Sequence, residues 1–191
     1  MSDNQRINQR TSKKVNSLIL KEMQIGLEDL SELKKDPSLL IDTGYEYVEV
    51  GDYEKALKLF SIGALLNNTD PDILNGLGIT LCELGKFKKS KQILERSFRL
   101  NPQDAVTVAN LAGVCWEMGE LEQAIFYYNK SLENNPEIEE IHYNLINLYI
   151  ETGALFMAYI SCLNFLERFP DEDEARELME EIILNLAISV F

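Results

Sequence analysis

Between residues 37 and 172 the apolar positions recur at intervals of three and four, the period of a helix buried along one side. Leu74, Leu77, Ile79 and Leu81 mark one such stripe, and Leu121, Ala124, Ile125 and Tyr128 mark another. No segment alternates with the period of two that a half-buried strand requires. The pattern therefore predicts helices throughout.

The flanks differ. Residues 1–14 are polar and basic, whereas 15–36 contain Leu20, Met23, Leu27 and Leu30, the stripe of an amphipathic helix over 15–33. Residues 173–191 open on acidic side chains, which suit a helix N-terminus, and predict a C-terminal capping helix. Its second half is more apolar than a water-facing cap needs, through Ile182, Ile183, Leu186, Ile188, Val190 and Phe191. That tail either folds back on the helices before it or meets another chain, and folding back is the favoured expectation.

The helical region is periodic on a longer scale. Gly51, Gly85, Gly119 and Gly153 follow one another at 34 residues, and so do Pro102, Pro136 and Pro170. Ala56, Ser90, Ala124 and Ala158 keep the same interval, as do Tyr47, Leu81, Cys115 and Tyr149. Each column has a mechanical reason. Glycine ends a first helix because it adopts the left-handed conformation without a Cβ penalty. Proline follows a second helix and suits the first turn of the next, where its missing N–H has no helical partner. The small residue lets two helices approach closely.

A 34-residue helix–turn–helix of this kind resembles the tetratricopeptide-repeat family. The resemblance covers 37–172 as four repeats, 37–70, 71–104, 105–138 and 139–172. Repeats two and three match best, with the large–small pairs Leu77-Gly78 and Leu111-Ala112. Repeat one has Asn68 in place of the proline. Repeat four has Ile146 at the usual small position, so its first helix is expected to pack more loosely or in a shifted way. The resemblance implies an all-α, right-handed α-solenoid, closed at its ends by the flanking helices.

It also implies that first helices, about 38–50, 72–84, 106–118 and 140–152, line a concave groove. Those helices contain no Lys or Arg and carry a glutamate column, Glu49, Glu83, Glu117 and Glu151. Further groove positions in the first two repeats are Tyr45, Val48, Asn75, Ile79 and Cys82. In the last two they are Asn110, Trp116, Tyr143, Asn144, Asn147 and Ile150. The expected groove is acidic, rich in amides and supplied with aromatic anchors. The competing readings are solvated glutamates near helix ends and a Trp116 packed between first helices. Some members of the family grip the C-terminal carboxylate of heat-shock chaperones with Lys, Arg and Asn on these helices. Without the cations, that mode is disfavoured here.

Composition narrows the function classes. The chain holds 18 Lys and Arg against 32 Asp and Glu, a formal charge of −14, which repels nucleic acid and attracts basic partners. Cys82, Cys115 and Cys162 show no ligand spacing and His142 is the only histidine, so no metal or cofactor is expected. Cys115, Cys162 and His142 fall at core positions. No phosphate loop or nucleophile–base set is present, which argues against an enzyme. The absence of a signal-like core or a long apolar span gives a cytoplasmic expectation. The function expected is protein–protein interaction: an adaptor binding a neutral-to-basic peptide or helix with apolar anchors. One alternative is a dedicated chaperone, since residues 51–87 are similar to the repeat chaperones of bacterial type III secretion. The other is a self-assembling scaffold, joined through the N-terminal helix or the apolar C-terminus.

Overall fold

A computed structural model of the chain describes residues 37–189, so the expected helix over 15–33 and the last two residues lie outside the described region. The described residues are all-α. They fall into two compact units, divided at Gly85, inside the second repeat.

The first unit holds α1 (Pro37–Glu49), α2 (Tyr53–Leu66) and α3 (Pro71–Glu83), each packed on the other two. The second holds α4 (Phe87–Leu100), α5 (Ala105–Glu117), α6 (Leu121–Asn134), α7 (Glu139–Glu151), α8 (Leu155–Arg168) and α9 (Asp173–Ser189). In that unit every helix packs on the next in sequence. The first helices start and stop within a residue of the expected bounds.

The helix ends explain the columns. All four turn glycines have positive φ, between 68° and 75°. At α5 the amide of Gly119 donates to the Trp116 carbonyl at 2.8 Å and that of Glu120 to Cys115 at 2.8 Å, which closes the helix and turns the chain. Aspartates cap the starts: Asp70 accepts from the amides of Asp72 and Ile73, and Asp104 from those of Val106 and Thr107. The prolines depart from expectation. Pro71 occupies the first turn of α3, but Pro102, Pro136 and Pro170 sit in the turns, ahead of α5, α7 and α9. Their rings end the preceding helix instead of starting the next, because a cap must come between.

In the first unit one ring organises the packing. Phe60 on α2 is 1% exposed and lies against two glycines. A Cβ at Gly44 of α1 would sit 2.6 Å from the ring's Cζ, and one at Gly76 of α3 would overlap the ring outright. Both first helices therefore close on α2 because they lack side chains there.

Repeat four solves the same problem in another way. Ile146 at the small position is fully buried, so its helix is not loose. The second helix carries Cys162 in the column that holds Phe60 and Tyr128, and the ring appears one turn later as Phe165. Phe165 is fully buried and meets His142 at 5.0 Å, Tyr143 at 4.9 Å and Phe169 at 4.9 Å between centroids. The aromatic mass has moved along α8 to make room for Ile146.

His142 lies within that aromatic cluster. Its Nε2 is 2.9 Å from the Pro136 carbonyl, so the proton sits on Nε2, and burial lowers its affinity for a second one. Arg168 adds to that depression, whereas Glu137 and the carbonyl oppose it.

Two outcomes follow from this core. Gly76→Ala gains helix propensity but forces Cβ into Phe60, so a net loss of about 1–3 kcal/mol is expected in urea denaturation. Because the folded His142 binds its second proton less readily than an unfolded histidine, stability is full above pH 6.5. It is lost as pH falls through the lower folded value. Denaturation midpoints measured between about pH 7.5 and 5.5 should show this component, and His142→Gln should flatten it relative to wild type.

Candidate functional site

The residues expected to bind a partner lie on α1 and α3 in the first unit and on α5 and α7 in the second. In the first unit Tyr45 is half-buried, with its ring edge-on to Phe60 at 5.2 Å. Its hydroxyl donates to the Asp72 carbonyl at 3.4 Å and accepts from the Asn75 amide at 3.1 Å. Asn75 is only 5% exposed, so its side chain serves the packing of α1 on α3 before any partner. Val48, Ile79 and Cys82 are half-buried, and Glu49 is exposed. Glu83 is exposed as well and takes the hydroxyl of Tyr53 at the start of α2, which raises the Tyr53 pKa.

In the second unit Trp116, at the end of α5, is half-buried. Its Nε1 donates to Glu151 Oε2, at the end of α7, at 2.6 Å. The ring also stands edge-on to Tyr128 at 6.3 Å. The bond explains why this indole lies between first helices and still keeps one side in water. Tyr143 is held similarly: its ring is edge-on to Phe165 and its hydroxyl donates to Glu172 at 3.4 Å. Burial and the charges of Glu172 and Glu174 push its pKa up to about 12. Asn110, Asn144 and Ile150 are half-buried, whereas Glu117 and Asn147 are exposed.

The four column glutamates thus do not share one fate. Glu83 and Glu151 orient an aromatic donor, while Glu49 and Glu117 face solvent. Glu172 belongs to the same arrangement and escapes sequence reasoning, because it lies outside the column, in the turn before α9. Lys91 escapes too. On α4 it is largely buried, paired with Glu120 and bonded to Gln123 at 3.0 Å, so this cation serves the packing of α4, α5 and α6.

Burial pushes the thiols of Cys115 and Cys162 up to about 11, which keeps them protonated and unreactive at neutral pH. Among the described residues no group of His, Cys, Asp and Glu is placed to hold a metal ion. Among the same residues no helix is long and apolar enough to cross a membrane.

The fold and these helix pairs define an all-α helical-repeat protein. The family model described as tetratricopeptide repeat matches residues 70–137, and the 34-residue register extends on both sides of that match. Comparison with curated protein sequences gives no match. Among solved structures the chain is similar to YrrB, described as a TPR protein with an unusual peptide-binding site. That likeness has 18% identity and a TM-score of 0.66, covering 84% of this chain and 82% of that one. A tetratricopeptide-repeat protein from Parabacteroides merdae is 25% identical at TM-score 0.65, over 78% of this chain and 60% of the other. The first repeat domain of Spaghetti (RPAP3), bound to the HSP90 peptide SRMEEVD, is 18% identical at TM-score 0.58, over 63% and 95%.

Glu151→Ala should release the indole of Trp116, the chain's one tryptophan. The expected result is a shift of the tryptophan emission with a stability loss of about 1 kcal/mol, the worth of one such bond. An unchanged spectrum would show that Glu151 does not hold the ring.

Proposed function

We propose that the chain is a non-enzymatic adaptor that binds a neutral-to-basic peptide or helix, with apolar anchors, on the faces of its first helices. The observation that carries this reading is the charge of those faces. The helices α1, α3, α5 and α7 contain no Lys or Arg, yet expose Glu49, Glu83, Glu117 and Glu151. Trp116, Tyr143 and Ile150 stand half-exposed beside them as apolar contacts.

The donors of Trp116 and Tyr143 are already committed to carboxylates. Hydrogen bonds to a partner's backbone therefore fall to the amides of Asn144 and Asn147, spaced three apart along one side of α7. Glu151 receives the indole at Oε2, and a carboxylate accepts at both oxygens, so a Lys or Arg can dock on Oε1 with the group already oriented. Specificity of this kind rests on a few anchors, with charge steering the encounter.

Peptide binding is what two of the similar structures are described by, and that supports the general role. The ligand of Spaghetti, SRMEEVD, ends in acidic residues and a carboxylate. First helices without a cation are the wrong chemistry for it, so the partner class here differs from that neighbour's.

The test uses Trp116 fluorescence with two peptides, one carrying Lys and Arg among apolar residues and the other SRMEEVD. The basic peptide should bind, more weakly as salt rises, and Glu117→Lys with Glu151→Lys should weaken it at least tenfold. Circular dichroism should be unchanged in that variant. Preferential binding of SRMEEVD, or an affinity indifferent to salt, would overturn the reading.

A further inference from the structure

Neither backbone nor packing accounts for Gly113. It lies in the middle of α5, where glycine is less favourable than any residue except proline. Its backbone is helical, unlike that of the turn glycines with positive φ. In the first unit Gly44, Gly63 and Gly76 each lie against a side chain that a Cβ would meet at 3.0 Å or less. Gly113 has no such neighbour. Among the described residues, the one atom of another helix that a Cβ there would meet is the Tyr128 hydroxyl, at 3.5 Å, an ordinary contact. Alanine would fit, so the missing side chain leaves a notch at a partly exposed position of α5.

A glycine of this kind lets another group come close to the backbone. The surroundings of the notch identify that group. Trp116 and Glu117 follow at three and four residues, so they stand on the same side of α5 one turn on. The indole of Trp116 is half-buried, and such a ring attracts a cation over its face. Its Nε1 holds Glu151 Oε2 at 2.6 Å, which leaves Oε1 to accept from a second donor. Asn147, exposed one turn before Glu151 on α7, adds an amide oxygen on the same side. Glu117 is exposed too, and neither α5 nor α7 carries a Lys or Arg to neutralise these carboxylates.

We infer, resting on the reading that first helices bind a basic partner, that the notch at Gly113 receives an arginine side chain. Its guanidinium lies against the indole of Trp116 and donates to Glu151 Oε1 and to the Asn147 amide oxygen. A guanidinium is planar, weakly hydrated and rich in donors, so it stacks on a ring and still serves two acceptors. An ammonium is compact and strongly hydrated, and it reaches the same carboxylate without entering the notch. Lysine is therefore the weaker ligand. The absent Cβ is what separates the two.

The experiment titrates the full chain with two peptides, identical and apolar except for a single Arg or Lys, and follows Trp116 emission. Wild type should bind the Arg peptide at least about fivefold more tightly than the Lys peptide. Gly113→Met fills the notch with a helix-favouring side chain and should bring the two affinities within about twofold. Gly113→Ala should raise the melting temperature by about 2–4 °C through helix propensity. The same variant should bind the Arg peptide at least about threefold more weakly. A packing role does not produce a variant that is more stable and binds worse. If neither peptide binds wild type, the basic-partner reading falls and the arginine notch falls with it. If both bind equally, that reading stands and the notch alone is refuted. An Arg preference that survives in Gly113→Met refutes it as well, and so does a loss of stability in Gly113→Ala, since packing would then require the glycine. Should Gly113→Met lose helical ellipticity, Gly113→Ala decides.

Discussion

The first unit depends on a bulky ring meeting positions that have no side chain. Phe60 is enclosed because Gly44 and Gly76 offer only backbone to it, and the three helices converge on that point. Close packing of this sort is volume-specific, since neither an extra methylene nor a missing one is absorbed. Repeat four obeys the same rule with its terms exchanged. A large Ile146 on the first helix is matched by the small Cys162 on the second, and the ring reappears as Phe165. What is preserved from repeat to repeat is the filled volume, and the identity of the residue at each column follows from it.

Packing of that kind sets where polar groups can go. Once the helices are held, three aromatic side chains are left half-buried, each with its donor bonded to a carboxylate. Trp116 reaches Glu151, Tyr143 reaches Glu172 and Tyr53 reaches Glu83. Each bond spends a negative charge on orienting an aromatic ring at the edge of the packed layer. Because water competes for both partners, each exposed bond of this type contributes only about 1 kcal/mol to stability. Their consequence is local: each half-buried aromatic ring is held beside an oriented carboxylate.

The cations are arranged as the counterpart. Lys91 is committed to Glu120 and Gln123, and Arg168 to Glu137. Lys55 and Arg176 pair with Asp52 and Asp173 at helix starts. Apart from Arg176, the Lys and Arg of the described residues lie on second helices and turns, and the negative excess remains on first helices and on α9.

How far the sequence determines the protein can be told from particular residues. The helix pairs, their boundaries and their turns are local consequences: glycine where φ must be positive, aspartate where amides lack partners, an apolar stripe at three and four. Repetition at 34 residues made these local signals reinforce one another, so the fold was legible. The candidate site was legible only as a set of positions. Burial of Asn75 against Tyr45, capture of Trp116 by Glu151 and of Tyr143 by Glu172, and the occupation of Lys91 all join residues 29 to 35 apart. Which donor finds which acceptor there depends on how one helix pair seats on the next, through side-chain volumes such as Ile146, Cys162 and Phe165. That seating is a tertiary property. Local periodicity carries no information about it, and only the packed structure decides which polar groups remain to meet a partner.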